Sequence, residues 1–538
     1  MLGLMQDMPL NLPTLIRHAE RLHAWKTVAT KTVDGVKTAT FSEVIERSRR
    51  LATALRDLGV KGDERVATLC WNHQEHLEAY IAVPCMGAVL HTLNLRLFTD
   101  DIAYIVAHAE DRVVIVDKSL WPIWEKVAAK VTCVRDVIVV DDVPGPNLPG
   151  THDYEELLAQ AEPMEYPLDL PERQAAAMCY TSGTTGHPKG VVYSHRSNVL
   201  HSMAASLADC IALAEKDTAI LIVPMFHANA WGLPYACLMT GASIVFPGKF
   251  MVPDLLAELM AGQRVTCVGG VPTILQALLG PLVKMKGRLD ALKRMLCGGS
   301  ALPPVLQQAY RDELGIHVLH AWGMTETSPI GTMARPLSIH QDHAEEARAR
   351  TSQGRPLFGV DIRIVGDSGL ELPWDGKSVG ELQARGNWVA SSYYNDETST
   401  GKFKDGWLCT GDVATIDAHG YMRIADRTKD LVKSGGEWIS SIAIEGLIMG
   451  HPDVAEAAVI AVFHPKWDER PLACVVAKPD AKERLTKAMI LDHLRPHIAK
   501  WWLPDDVVFV EQIPKTSVGK FDKKVLRAQF KEHVLPPE

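Results

Sequence analysis

The sequence predicts an α/β fold: a large N-terminal domain of parallel-rich sheets flanked by helices, followed by a small C-terminal α+β domain. Two observations predict it. In the first half, short β-rich runs alternate with segments of helical periodicity, a pattern that sets helices on the faces of a mainly parallel sheet. Near Asp426-Arg427-Thr428-Lys429-Asp430 that pattern breaks. Gly420-Tyr421-Met422-Arg423-Ile424 before the break reads as a hairpin strand. After it, a Ser434-Gly435-Gly436 turn opens a fresh αβ pattern of about a hundred residues, a normal size for a small domain. The expected domains are therefore 1–428 and 429–538.

The individual elements follow from the same reading. Ser42 is placed to cap a helix whose apolar positions Val44, Ile45, Leu51, Leu55 and Leu58 recur at helical spacing until Gly59 stops it. Arg65–Cys70, Val113–Val116 and Val137–Val140 read as buried strands, and Pro144, Pro146, Pro149 and Gly150 mark a loop. From Ala219 to Phe246 the chain is mostly apolar and nearly long enough to span a bilayer. Pro224, His227, Asn229, Pro234 and Gly241 interrupt it and no charge clusters flank it, so buried α/β core is the expectation rather than an integral membrane segment.

Bulk composition narrows the function classes. At 538 residues the chain exceeds one core, and 47% apolar with 22% charged residues is ordinary globular composition. A net charge of −9 argues against nucleic acid as main partner. Ten cysteines are scattered singly without a Cys-x-x-Cys pair, a reduced inventory that points to the cytoplasm. Met1–Leu10 carries Asp7 and no basic segment leading into an apolar one, so no signal peptide is read there.

The most informative stretch is Tyr180-Thr181-Ser182-Gly183-Thr184-Thr185-Gly186-His187-Pro188-Lys189-Gly190, flanked by apolar Ala175–Met178 and β-branched Val191-Val192. It reads as a loop between extended segments. Glycines let the backbone turn its amides inward, while the hydroxyls and one lysine face the concavity; these are the donors a polyphosphate needs. The common P-loop is excluded because Pro188 stands where its second glycine belongs. A flexible linker is disfavoured by the internal Pro-Lys-Gly and the apolar flanks.

This segment resembles the phosphate-binding signature of the AMP-forming acyl-CoA synthetases, and six further segments match that family in collinear order. Pro224-Met225-Phe226-His227-Ala228-Asn229-Ala230-Trp231 is one; the resemblance makes His227 a residue that gates and holds the acid, and Trp231 part of the acyl pocket. Cys297-Gly298-Gly299-Ser300-Ala301 resembles the place where relatives stack adenine. Leu302 there excludes a Gly-x-Ser-x-Gly serine-hydrolase elbow. Ala321-Trp322-Gly323-Met324-Thr325-Glu326-Thr327 is similar to the segment whose glutamate binds Mg²⁺, with Thr325 on the α-phosphate and Thr181 as second protein partner of the metal. Gly299 and Gly323 would also border the acid. Asp412, in Trp407-Leu408-Cys409-Thr410-Gly411-Asp412, matches the ribose-binding aspartate, and Arg427 the arginine reaching ribose and phosphate.

Lys429 falls at the family's hinge position, which makes the small domain mobile by resemblance. Lys433-Ser434-Gly435-Gly436-Glu437-Trp438 resembles the loop that forms the pantetheine tunnel, with Trp438 matching a gating tryptophan of bacterial fatty-acyl-CoA ligases. Finally Pro514-Lys515-Thr516-Ser517-Val518-Gly519-Lys520 fits the family's catalytic lysine at Lys520.

The resemblance implies an ATP-, Mg²⁺- and CoA-dependent ligase that makes an acyl-adenylate and then a thioester, releasing pyrophosphate and AMP. Its expected substrate is an aliphatic, medium-chain fatty acid. Alternatives are a small aliphatic acid such as methylthiopropionate, or a carrier protein as acceptor. The latter is disfavoured because only eighteen residues follow Lys520. A nucleotide-binding regulator without turnover would predict damage to Thr181, Lys189, Glu326, Asp412, Arg427 or Lys520, all of which are intact. Relatives are often homodimers, and the resemblance extends that expectation to this chain.

Overall fold

In a computed structural model, the described residues are 1, 3–181, 187–434, 437–516 and 520–536. Two large sheets dominate the N-terminal part. In the first, the strands run in the order His152–Asp153, Asp136–Val140, Asp111–Asp117, Arg65–Leu69, Val89–Thr92, Ala175–Tyr180, Gly190–Ser194. All its pairs are parallel except the last, a hairpin. The second has a parallel centre of Val318–Gly323, Arg294–Cys297, Cys267–Gly270, Thr218–Ile220, Ser243–Phe246 and Thr27–Thr32, closed by antiparallel strands at both edges. An antiparallel sheet from Val360 to Arg427 follows. The small C-terminal domain holds a sheet between Val432 and Phe509, with the helices Ser441–Ile448 and Lys523–Gln529 packed on it.

The expected strands at 65–70, 113–116 and 137–140 lie side by side, and the apolar run Ala219–Phe246 is a strand, two helical turns and a second strand buried in the core. Among the described residues no helix is long and apolar enough to cross a membrane. The ten cysteines are unpaired, nine of them buried. One cap differs from expectation. The helix begins at Phe41, capped not by Ser42 but by Thr40, whose hydroxyl accepts from Glu43 N while the Glu43 carboxylate accepts from Thr40 N. The reciprocal pair satisfies two backbone donors at once, which a lone Ser42 could not do.

Buried Asn72 ties the two large sheets together. From the loop after Arg65–Leu69 its amide donates to the Leu221 and Val223 carbonyls at 2.8 and 2.7 Å and accepts from Met225 N at 2.9 Å. Tyr80 adds a hydrogen bond to the Met225 carbonyl. The segment leading into His227 is thus fixed by the other sheet. Replacing Asn72 with Leu should leave three buried backbone groups unpaired and lower stability by about 3 kcal/mol, measured by denaturant unfolding.

Candidate functional site

The strands on either side of the glycine-rich stretch, Ala175–Tyr180 and Gly190–Ser194, form a hairpin. Its strands pair Tyr180 with Gly190, and a Cβ at Gly190 would sit 3.1 Å from the Tyr180 ring and 3.2 Å from Tyr394 Cβ, so glycine is required for the close approach. At the loop's neck Thr181 N donates to the Lys189 carbonyl (2.9 Å) and Lys189 N to the Thr181 hydroxyl (3.2 Å). Ser182, Gly183, Thr184, Thr185 and Gly186 lie outside the described residues. The Lys189 ammonium meets Asp396 Oδ2 at 3.0 Å, hydrogen-bonds the Ser399 hydroxyl and lies 5.2 Å from the centre of the Tyr393 ring.

Opposite the loop, the ends of the parallel strands of the second sheet supply two flat backbone surfaces. Gly299 sits at φ +85°, and a Cβ there would come 3.1 Å from Val271 and 3.3 Å from Lys520 Cε. At Gly323 a Cβ would fall 1.9 Å from the Pro329 carbonyl oxygen, so no side chain fits. The turn Thr325–Thr327 follows at once and buries Glu326, whose Oε1 accepts from Tyr393 OH at 2.5 Å. Tyr193 OH donates to the Thr325 carbonyl at 2.8 Å.

The antiparallel sheet adds a paired Asp412 and Arg427, brought opposite each other by strand register, with Arg427 Nε 3.4 Å from Asp412 Oδ1. Asp412 Oδ2 accepts from Trp322 Nε1 at 2.8 Å. The indole N–H thus fixes the carboxylate, a contact the sequence does not signal.

His227 opens an unusual turn. Ala228, Asn229, Ala230 and Trp231 all have positive φ (41°, 52°, 50°, 60°), a left-handed turn without a glycine until Gly232. Such residues cost roughly 1–2 kcal/mol each, strain of the kind held at functional sites. The turn carries the Trp231 indole against Gly298 and Gly269, where a Cβ would lie 3.2 and 3.4 Å from the ring respectively. Burial, helped by the nearby Lys520 and Arg96 charges, lowers the His227 pKa to about 3, so the imidazole is neutral at physiological pH.

Lys520 reaches this site from the C-terminal domain. Removal from water, then the Arg427 charge, brings its pKa down to about 8, while Asp412 and Glu326 act in the opposite direction. One cavity of about 1570 Å³ between the domains is lined by Thr181, Lys189, His227, Trp231, Gly298, Gly299, Ser300, the Ala321–Glu326 segment, Asp412, Arg427, Lys429 and Lys520. Thr181 and Glu326 offer it hard oxygen donors, the kind of set a divalent magnesium ion takes.

Other expected site residues are held elsewhere. Trp438 is 40% exposed, with the Lys433 ammonium 4.8 Å from its ring centre, and neither lines the cavity. Ser434 accepts from Arg470 at 3.0 Å, Gly435 and Gly436 lie outside the described residues, and Glu437 contributes a strand residue paired with Ser434. Tyr393, Asp396 and Tyr193 were missed. Tyr393-Tyr394-Asn395-Asp396 reads locally as a turn, and nothing in it points to a carboxylate sixty-seven residues upstream.

Comparison with known proteins places this arrangement in a family. Residues 17–394 match the AMP-binding enzyme family and residues 443–520 its C-terminal domain. The chain is 44% identical to a 3-methylmercaptopropionyl-CoA ligase of Ruegeria pomeroyi, covering 99% of both. It is 42% identical to a medium-chain-fatty-acid–CoA ligase of Ectopseudomonas oleovorans (99% of this chain, 98% of the relative). With a long-chain-fatty-acid–CoA ligase of Thermus thermophilus it shares 46% identity over 98% and 97% of the two chains. Among solved structures, ATP-bound MatB from Rhodopseudomonas palustris superposes with a TM-score of 0.84 at 29% identity, over 97% of this chain and 99% of that one. The chain belongs to the AMP-binding enzyme family. It is an AMP-forming acyl-CoA ligase that uses ATP and CoA.

The Trp322–Asp412 bond gives a direct test of the site. Trp322→Phe should keep the packing, lose a hydrogen bond to a charged acceptor, and raise KM for ATP by roughly tenfold or more in a steady-state assay.

Proposed function

We propose that this ligase activates an aliphatic acid of medium chain length, with the domains meeting at 428/429 and with the site residues in the roles their positions suggest. The observation that carries the reading is the convergence of Lys520, Arg427, Lys189 and His227 on one cavity that also holds Glu326 and Asp412.

A carboxylate is a poor electrophile, so the acid's oxygen attacks the α-phosphorus of ATP. The bond to the bridging oxygen breaks, pyrophosphate leaves, and the mixed anhydride carries AMP as a good leaving group. The CoA sulfur then attacks the acyl carbon, the thiol proton is lost and AMP departs. In the first step an anion approaches a polyanion, and the barrier is largely electrostatic.

Lys189 and the loop amides hold the outer phosphates, Thr325 the α-phosphate, and Asp412 accepts from the ribose hydroxyls. The glycines at 298 and 299, with Ser300 and Ala321-Trp322-Gly323-Met324, border the base. Glu326 and Thr181 would hold Mg²⁺, which would supply charge neutralisation on the phosphates. Lys520 faces the carboxylate and the α-phosphate, where a protonated, partly desolvated ammonium stabilises charge best. Neutral His227 adds a dipole beside the acid without repelling it or adding a second ion to desolvate. The apolar pocket is walled by Trp231. Lys433–Trp438 serves the second step, after the small domain has turned at Lys429.

A second reading, activation of a short thioether acid such as 3-methylmercaptopropionate, is favoured by the 44% identity to the Ruegeria pomeroyi enzyme and by the Trp231 indole filling the space before Gly269 and Gly298. A panel of acids from propionate and 3-methylmercaptopropionate to C16, assayed for CoA-dependent AMP release, separates the readings. A maximum at C6 to C10 supports the first, a maximum at the thioether acid the second, and AMP release that ignores CoA would contradict both.

The Lys520 pKa sets a pH limit. Its charged form is the working one, so kcat/KM for adenylate formation should fall as pH rises through about 8. Lys520→Arg should remove that limb. His227, with its pKa near 3, should contribute no limb between pH 5 and 8.

A further inference from the structure

Just before the expected hinge, a buried polar chain crosses from one domain to the other. Asp426, fully buried in the strand Met422–Arg427, accepts at Oδ2 from both Ser441 N (2.7 Å) and Ser441 Oγ (2.5 Å). Ser441 is the first residue of the helix Ser441–Ile448 in the C-terminal domain. Its hydroxyl accepts in turn from the Lys523 ammonium at 2.5 Å, and Lys523 is paired with buried Glu445 at 2.7 Å. Glu445 also accepts from Val459 N at 2.7 Å, and the other Asp426 oxygen accepts from Arg427 N at 2.8 Å. Beside the chain, Ser440 donates to the Ala425 carbonyl.

Two features give this chain a part in the reaction. Lys523 opens the helix that starts three residues after Lys520, so anchoring Lys523 anchors the segment that delivers Lys520 to the cavity. Asp426 lies on the N-terminal side of Thr428–Asp430, whereas Ser441, Glu445 and Lys523 lie on the C-terminal side. Any rotation about that turn leaves the Lys523–Glu445 pair intact within its own domain and strips Asp426 of both Ser441 donors. A buried carboxylate that loses its donors is costly, so the orientation seen here is the one Asp426 favours.

We propose that Asp426, through Ser441 and Lys523, is the positioning residue that holds the C-terminal domain in its adenylate-forming orientation and sets how readily it leaves. The proposal rests on the reading that Lys520 serves adenylation while the Lys433–Trp438 segment, of which Lys433 and Trp438 do not line the cavity, serves thioester formation.

The experiment measures both half-reactions separately, acid-dependent formation of acyl-adenylate from ATP and thioester formation from supplied acyl-adenylate and CoA, in Asp426→Ala and in the isosteric Asp426→Asn. Adenylate formation should fall about tenfold to a hundredfold, while thioester formation stays within about twofold of wild type or rises. Equal loss in both half-reactions, with a normal unfolding transition, would make the chain a structural staple and overturn the proposal. No change in either would do the same.

A readout independent of turnover uses nitroxides on Phe358→Cys and Phe463→Cys, which are 91% and 74% exposed and lie one on each domain. A Cys133→Ser background removes the one native thiol that is not buried. With ATP bound, wild type should give one interdomain distance and Asp426→Ala an added population; identical distributions would contradict the latch. If wild type is silent towards every acid, the functional reading fails, and the distance distributions still decide the latch.

Discussion

The rest of the structure depends on keeping positive charge where water is scarce. Lys520 stands beside Arg427, a like charge, in a partly desolvated cleft, and both effects push its proton off. Asp412 and Glu326 push the other way, and the balance leaves a pKa of about 8, still protonated in neutral solution. A cation placed this way attracts two anionic reactants far more strongly than it could in bulk water. Each carboxylate is itself tethered: Asp412 by Trp322, Glu326 by Tyr393. The indole and the phenol therefore act on the lysine at one remove, by fixing the charges that keep it protonated.

The same constraint explains the division into two domains. Lys520 comes from the small domain, while the loop, Glu326, Asp412 and Arg427 belong to the large one. The site is complete only with both domains together, and under the proposed function a turn at Lys429 would withdraw the cation from it. The large sheets supply rigidity for this: Asn72 clamps the segment entering His227, and the left-handed turn after it is tolerated because Gly232, His201 and the buried Asn229 fix its geometry.

Much of the fold was legible because its signals are local. The alternating strands and helices, and the two extended segments flanking the glycine-rich stretch, are written in periodicity and in glycine and proline placement. The cap at Thr40 is written in the sequence too, as Thr-x-x-Glu, although Ser42 is the hydroxyl nearer the apolar run. Asp412, Glu326 and Lys520 were singled out by the family resemblance rather than by spacing alone, and the structure brings all three to one cavity. The candidate site was not legible where a partner comes from another strand: Trp322 lies ninety residues from Asp412, and Tyr393 sixty-seven from Glu326. The left-handed turn at Ala228–Trp231 was hidden for another reason. Alanine, asparagine and tryptophan do not advertise positive φ, and tertiary packing overrides their preference.

The central claim is that Lys520 stabilises charge in adenylate formation and is dispensable afterwards. Single-turnover measurement of the two half-reactions in Lys520→Ala tests it most directly. The account predicts a loss of about a hundredfold or more in acyl-adenylate formation, with thioester formation from supplied acyl-adenylate close to wild type. Equal losses in the two steps would contradict it.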